Sequence, residues 1–304
     1  MEKKKLLKNK IVDTLPMLYL ETVILMVLGQ FLGSFILGIP VGIAIVAHPQ
    51  LQKSAFLNTA LMYVIFLGIW AVALFWILIK KRNRPILQAV GTKPQGNNGK
   101  YLLLGLVLGF ALNGICILVA WLHHDIALTY DAIHPLWFVV VFLTVFIQSS
   151  AEELLCRGFL YQKLRRSYKN PVVAIVGNAL LFALLHLANN GVTVLSVLNI
   201  FLVGILFSLM VYYMDSLWCA FAVHTAWNFT QNILFGLPNS GINVPYSVFK
   251  LDAAQPARDS FAYNVGFGIE GTLLADVVLL VACVLLYLWG RKHGKKSMDV
   301  WAET

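Results

Sequence analysis

Long apolar runs separated by short polar breaks recur along the chain, at Leu15–Ala47, Phe56–Ile79, Tyr101–Leu122, Leu136–Leu164, Pro171–Ala188, Val192–Tyr213, Leu217–Phe235 and Gly271–Gly290. They lie near the ~20-residue length with which an α-helix crosses a ~30 Å hydrocarbon core. The pattern predicts an all-α fold, a polytopic transmembrane helix bundle of about eight spans. The first run is too long for a straight crossing, and its Gly-rich stretch ending in Pro40 predicts a kink or two short pieces. The runs occupy most of the chain, so residues 1–304 are expected to form a single integral membrane domain.

Composition supports this picture: 59% of the residues are hydrophobic and 12% charged, against about 25% charged in an ordinary soluble domain. The excess apolar surface has to face lipid. The 23 Lys and Arg residues then set the orientation. Clusters in the amino-terminal tail, between Lys80 and Lys100, between Lys163 and Lys169, and after Gly290 all fall on one side of the eight-span model. Lys53, Lys250 and Arg258 fall on the other side, with most of Asp125, Asp131, Asp252 and Asp259, and Arg157 lies within a span. The positive-inside rule therefore predicts that both termini are cytoplasmic. The basic start, Met1–Lys10, lacks a nearby cleavage site and reads as a retained cytoplasmic tail. A net charge of +9 does not point to nucleic acid, because the basic residues form short clusters beside apolar runs and no broad face. Cys116, Cys156, Cys219 and Cys283 all lie inside predicted spans, at spacings unlike a zinc knuckle or a disulfide framework, and read as packing residues. Pro94–Lys100, rich in Gly and Asn, reads as a flexible connection. The longest outside segment, Gly236–Glu270, is a candidate lid or binding segment.

Ionisable side chains inside a span cost roughly 2.5–3.5 kcal/mol each on insertion scales. Here they cluster, as Glu152, Glu153 and Arg157 in the fourth run, Phe182 with His186 in the fifth, and His224 with Asn228 in the seventh. Glu153 and Arg157 are one helical turn apart and can pair, which reads as a structural ion pair. Glu152 points about 100° away and is left without an intrahelical partner. His224 and Asn228 share one helix face. Counted from the cytoplasmic ends, Glu152 lies ~20 Å deep, His186 ~22 Å and His224 ~12 Å, so His224 requires a tilted helix or a shifted boundary. A lone buried His is more often a packing residue, and Phe182 reads as packing one turn from His186. Glu21 sits where it can reach the interface, and Asp276 has no evident partner. Together, one free carboxylate, two imidazoles and an amide on three spans make the parts of a hydrolytic site.

Amide hydrolysis needs a base for water, a proton for the leaving amine and donors for the oxyanion. Glu152 can serve as base, His186 can hold the same water and relay a proton, and His224 with Asn228 can donate to the oxyanion. Glu152, His186 and His224 also make up a Glu/His/His zinc set. No HExxH is present, and His224-x-x-x-Asn228 offers only one strong metal ligand, so a site without a cofactor is favoured and zinc is the alternative.

The order Glu152-Glu153-x-x-x-Arg157, Phe182-x-x-x-His186 and His224-x-x-x-Asn228 resembles the CPBP family, the CAAX proteases and bacteriocin-processing enzymes also called Abi. The resemblance covers about residues 136–235. It implies an intramembrane endopeptidase in which Glu152 and His186 activate water and His224 with Asn228 stabilise the oxyanion, with Glu153, Arg157 and Phe182 in support. The implied partners are a membrane-associated peptide or protein substrate and the lipid bilayer. Short connections and compact size resemble bacterial relatives, which implies a multi-pass protein of the bacterial plasma membrane. The other open class is a non-catalytic membrane immunity or partner-binding protein, in which the polar cluster serves assembly.

Overall fold

The structure is a computed structural model that describes residues 13–294 and 297–302. The expected tail at 1–10 and Lys295 with Lys296 lie outside the described residues. Every apolar run becomes helical: α1 (Leu15–Ala47), α2 (Ala55–Val64), α3 (Leu67–Ile79), α4 (Ile86–Val90), α5 (Gly99–Leu122), α6 (Pro135–Glu153), α7 (Tyr161–Ser167), α8 (Pro171–Leu185), α9 (Val194–Met214), α10 (Leu217–Asn228) and α11 (Leu273–His293). Side chains of Ser54, Asn98, Asn170, Thr193, Ser216 and Thr272 accept from backbone N–H groups and set the starts of α2, α5, α8, α9, α10 and α11. Two π-helical turns, Leu154–Leu160 and Phe229–Leu234, continue α6 and α10. A short antiparallel pair, β1 (Leu128–Tyr130) with β2 (Phe249–Leu251), joins two connections.

Among the described residues six stretches are long and apolar enough to cross a membrane: Leu15–Ala47, Ala55–Ile79, Gly99–Leu122, Pro135–Ser167, Val194–Met214 and Leu273–His293. The molecule is an all-α, multi-span membrane-helix bundle. The other two runs of the expected eight fall short of that measure. α8 has 15 residues, about 22 Å of helix. Along α10 all residues but Trp218 are buried, so its Thr, His and Asn side chains meet protein instead of lipid. α1 is one helix despite Pro40, whereas the second run is the broken one, interrupted at Ile65 and Phe66. α1 crosses at that break so closely that a Cβ on Gly33 would lie 1.8 Å from the Ile65 carbonyl oxygen.

α10 occupies the middle of the bundle, packed on α5, α6 and α9. Its contact with α5 is nearly backbone to backbone, since a Cβ on Gly109 would come within 2.4 Å of the Val223 carbonyl oxygen. α8 and α9 form an antiparallel hairpin, and α11 covers α9. Among the described residues, basic side chains of the Lys80–Lys100 and Lys163–Lys169 clusters meet at one end of the bundle. There Arg82 pairs with Asp13, Lys163 with Glu21, and Arg165 donates to the Met298 carbonyl (2.8 Å). Glu21 also accepts from Trp76 (2.7 Å). At the opposite end Arg258 pairs with Asp125 (3.2 Å), and Tyr246 N–H donates to Thr59 (3.0 Å). Asp13 and Met298, close to the two described ends of the chain, thus belong to the same end of the bundle.

The Pro94–Lys100 connection is held in place, contrary to the flexibility expected of its Gly and Asn. The Asn97 side chain donates to the Ala89 and Gly91 carbonyls and accepts from the N–H groups of Leu217 and Trp218, while Ser216 donates to the Gly96 carbonyl. A polar floor therefore lies beneath the start of α10, where Ser216 and Leu217 are buried. α10 thus begins inside the bundle. The four cysteines are free and buried. Asp276, for which the sequence suggests no partner, accepts from Asn199 (3.1 Å).

Candidate active site

The fourth run turns polar at Gln148 and widens into the π turn after Glu153. Glu153 and Arg157 are wholly buried and joined by a 2.7 Å hydrogen bond from Nη1 to Oε1. The guanidinium also donates to the Gly204 carbonyl (3.2 Å) and lies over the rings of Phe182 (4.5 Å) and Phe207 (5.2 Å). Arg157 is thereby compensated on every side, as a cation in an apolar bundle must be. The same Glu153 Oε1 lies 3.1 Å from His224 Nδ1. A carboxylate here can only accept, so Nδ1 carries a proton and Nε2 is turned towards Glu152, whose Oε2 is 3.8 Å away.

From Glu152 a hydrogen-bonded chain runs towards the opposite wall. Gln148 Nε2 donates to Glu152 Oε1 (2.7 Å), Asn228 Nδ2 donates to Gln148 Oε1 (3.1 Å), and Asn239 Nδ2 donates to both Asn228 Oδ1 (3.2 Å) and Glu270 Oε1 (3.0 Å). Donor and acceptor directions agree at every link, which fixes how each amide faces. Glu270 further accepts from Trp227 Nε1 (3.0 Å) and from the Ser240 backbone N–H and hydroxyl. Burial pushes the Glu270 carboxyl above its ordinary range, while the Ser240 and Trp227 hydrogen bonds pull it back.

His186 caps the end of α8, and its Nδ1 contacts the Phe182 carbonyl (2.8 Å). That contact leaves Nε2 as the nitrogen without a backbone partner. Phe182 meets both imidazoles edge-on, at 4.8 Å from His186 and 6.1 Å from His224. Glu152, His186, His224 and Asn228 all line one cavity of about 130 Å³, together with apolar residues such as Tyr63, Phe207 and Leu279. Such a volume has room for several water molecules.

The expected residues therefore meet around one cavity, which Phe182 also lines, with Glu153 and Arg157 behind it. Glu153 does more than pair with Arg157, since it also holds His224. The zinc set does not close: among the described residues no three His, Cys, Asp or Glu side chains gather as a metal site. Sequence reasoning missed Gln148, Asn239 and Glu270. Gln148 carried a readable signal, being polar in an apolar run and one turn before Glu152. Asn239 and Glu270 come from the outer connection Gly236–Glu270, which its length marked as a candidate binding segment without singling out either residue.

A family model described as Rce1-like, type II CAAX prenyl endopeptidase Rce1-like, matches residues 134–230. Neither a curated protein nor a solved structure matches the chain.

Proposed function

From the match of residues 134–230 to the Rce1-like, type II CAAX prenyl endopeptidase model, we propose that the protein belongs to the CAAX-protease (CPBP, Abi) family and is an intramembrane endopeptidase acting on a membrane-associated peptide or protein. The family assignment supports a hydrolytic, protease-like function. The observation that carries the finer reading is that Glu152, His186, His224 and Asn228 line one cavity. In this reading Glu152 takes a proton from a water that His186 also holds, and the hydroxide attacks the peptide carbonyl. The oxyanion is met by His224 Nε2–H and Asn228 Nδ2–H. The proton taken from water then passes to the leaving amine, which completes the hydrolysis.

This role sets the charge of His224. Its Nδ1–H is committed to Glu153, so Nε2 can donate only if the ring is an imidazolium. Glu152, Glu153, Arg157 and such a His224 sum to zero charge, the arrangement least costly in an apolar bundle. The described Glu and His side chains do not gather as a metal site, and no step uses a metal. Asn228→Ala is expected to lower kcat by roughly 10²–10³ with little change in KM, the effect of losing one oxyanion donor. A farnesylated CAAX-type fluorogenic peptide is the first probe, chosen from the family description. The purified wild type should keep its rate after chelation. About one zinc per chain, lost with activity in His224→Ala, would replace this mechanism with a metal-dependent one.

The basic end of the bundle is proposed to face the cytoplasm of a bacterial cell. Single cysteines at Lys93 and Ser167, in an otherwise cysteine-free chain, should resist an impermeant thiol reagent in intact cells, while one at Asp252 reacts. Labelling at Lys93 without labelling at Asp252 would invert the orientation.

A further inference from the structure

An amide serves an oxyanion only when its nitrogen faces the substrate, and the two ends of an Asn side chain are nearly equal in size. Something must therefore decide which way Asn228 points. On the cavity side its Nδ2 faces Gln148 Oε1 (3.1 Å) and Ser149 Oγ (3.4 Å). Gln148 is itself held by Glu152, to which its Nε2 donates (2.7 Å), and Ser149 donates to the same Gln148 oxygen (3.1 Å), so this side receives the Asn228 nitrogen as long as Gln148 keeps its place. Behind it, Asn228 Oδ1 receives a hydrogen bond from Asn239 Nδ2 (3.2 Å). The second hydrogen of that nitrogen goes to Glu270 Oε1 (3.0 Å). A carboxylate has no donor to offer, so Glu270 requires the nitrogen of Asn239, and Asn239 in turn requires the oxygen of Asn228.

The turn that carries Asn239 is held on all sides. Asn239 and Ile242 exchange two backbone hydrogen bonds (3.0 and 2.9 Å), and both residues between them have positive φ, Ser240 at 48° and Gly241 at 78°. This is the geometry of a type I′ turn. From the π turn below, Gln231 donates to the Pro238 carbonyl (2.6 Å), and Asn232 donates to the carbonyls of Leu237 (2.7 Å) and Ile242 (3.1 Å). Asn189, three residues beyond His186, donates to the Ser240 carbonyl (3.0 Å). One outer turn thus touches the chain segments that carry both His186 and Asn228.

We infer that Asn239, aligned by Glu270, is a positioning residue that holds the Asn228 amide with its nitrogen towards the cavity. This inference rests on the hydrolase reading and adds two residues outside the matched segment 134–230 to the working site. Asn239 and Glu270 line the same cavity, yet the inferred role of Asn239 needs no contact with substrate. Its effect passes through Asn228, so the two should behave as a unit.

The test is a double-mutant cycle with the full-length protein in liposomes and the farnesylated CAAX-type peptide as probe. Asn239→Ala should lower kcat roughly tenfold and leave KM within about twofold. Asn239→Asp, which turns an oxygen on both Asn228 and Glu270, should approach the roughly 10²–10³-fold loss of Asn228→Ala. With Asn228 already Ala, Asn239→Ala should change kcat by less than about twofold, because the group it orients is gone. Rates are taken per folded molecule, counted by monodisperse elution and by thermal midpoint. Losses that multiply in the double variant overturn the inference, as does an Asn239→Ala protein with wild-type kcat per folded molecule. A wild type whose cleavage of the probe equals that of Glu152→Gln removes the hydrolase reading, and the inference with it. That outcome is distinct from an active wild type with equally active Asn239 variants.

Discussion

Replacing Glu152 with Gln is expected to lower kcat by roughly 10²–10⁴-fold while leaving the fold intact. The lower figure is the minimum usual for a positioned general base, and the upper one the limit of what proton transfer alone contributes. The change is nearly isosteric. The amide oxygen of the new side chain still accepts from Gln148 Nε2, so the hydrogen bond at 2.7 Å persists. What is lost is the basic oxygen facing the cavity. Thermal unfolding in detergent should give nearly the wild-type midpoint, and the rate on the farnesylated probe should fall to background. An active Glu152→Gln protein would show that this carboxylate is not the base.

Glu153→Gln is expected to act in the opposite order, on stability first. It leaves Arg157, wholly buried, without its compensating charge, at a cost of about 3–5 kcal/mol. It also weakens the hold on His224 Nδ1. Stability and positioning can be separated with Glu153→Leu combined with Arg157→Leu, which removes both charges. That pair should melt above either single variant, since no buried ion is left alone. Its activity should stay lost, because His224 has no anchor. A pair that melts no higher than the singles would mean that the ion pair is not what holds this part of the bundle. A pair with restored activity would mean that Glu153 does not orient His224.

Much of the bundle was legible because helices in lipid leave a length signature: every apolar run became a helix. What hydropathy could not show is which helices are surrounded by protein. α10 scores poorly as a span because it is enclosed, and its polar faces look inward. Pro40 suggested a break in α1, but a proline in a lipid-facing helix costs one hydrogen bond and not necessarily the helix. The actual break lies in the second run, where the close approach of Gly33 marks the crossing. Gly and Asn in Pro94–Lys100 suggested flexibility, yet Asn97 spends both its oxygen and its nitrogen on neighbouring backbone.

For the site, helical spacing separated Glu152 from Glu153 and joined His224 to Asn228, since both are local geometry. The tie between Glu153 and His224 spans 71 residues, and the tie between Asn239 and Glu270 lies in irregular chain. No periodicity reports contacts of that kind. Gln148 was the missed residue that local reasoning could reach, one turn from Glu152 on the same face.

The central claim is that this cavity hydrolyses peptide bonds of membrane-associated chains through Glu152. Mass spectrometry of newly formed amino and carboxyl termini tests it most directly, in membrane and released fractions of cells producing equal amounts of wild type or Glu152→Gln. Termini present with the wild type and absent with the variant are the predicted result. Identical sets of termini from the two proteins, both folded and in the membrane, would contradict it.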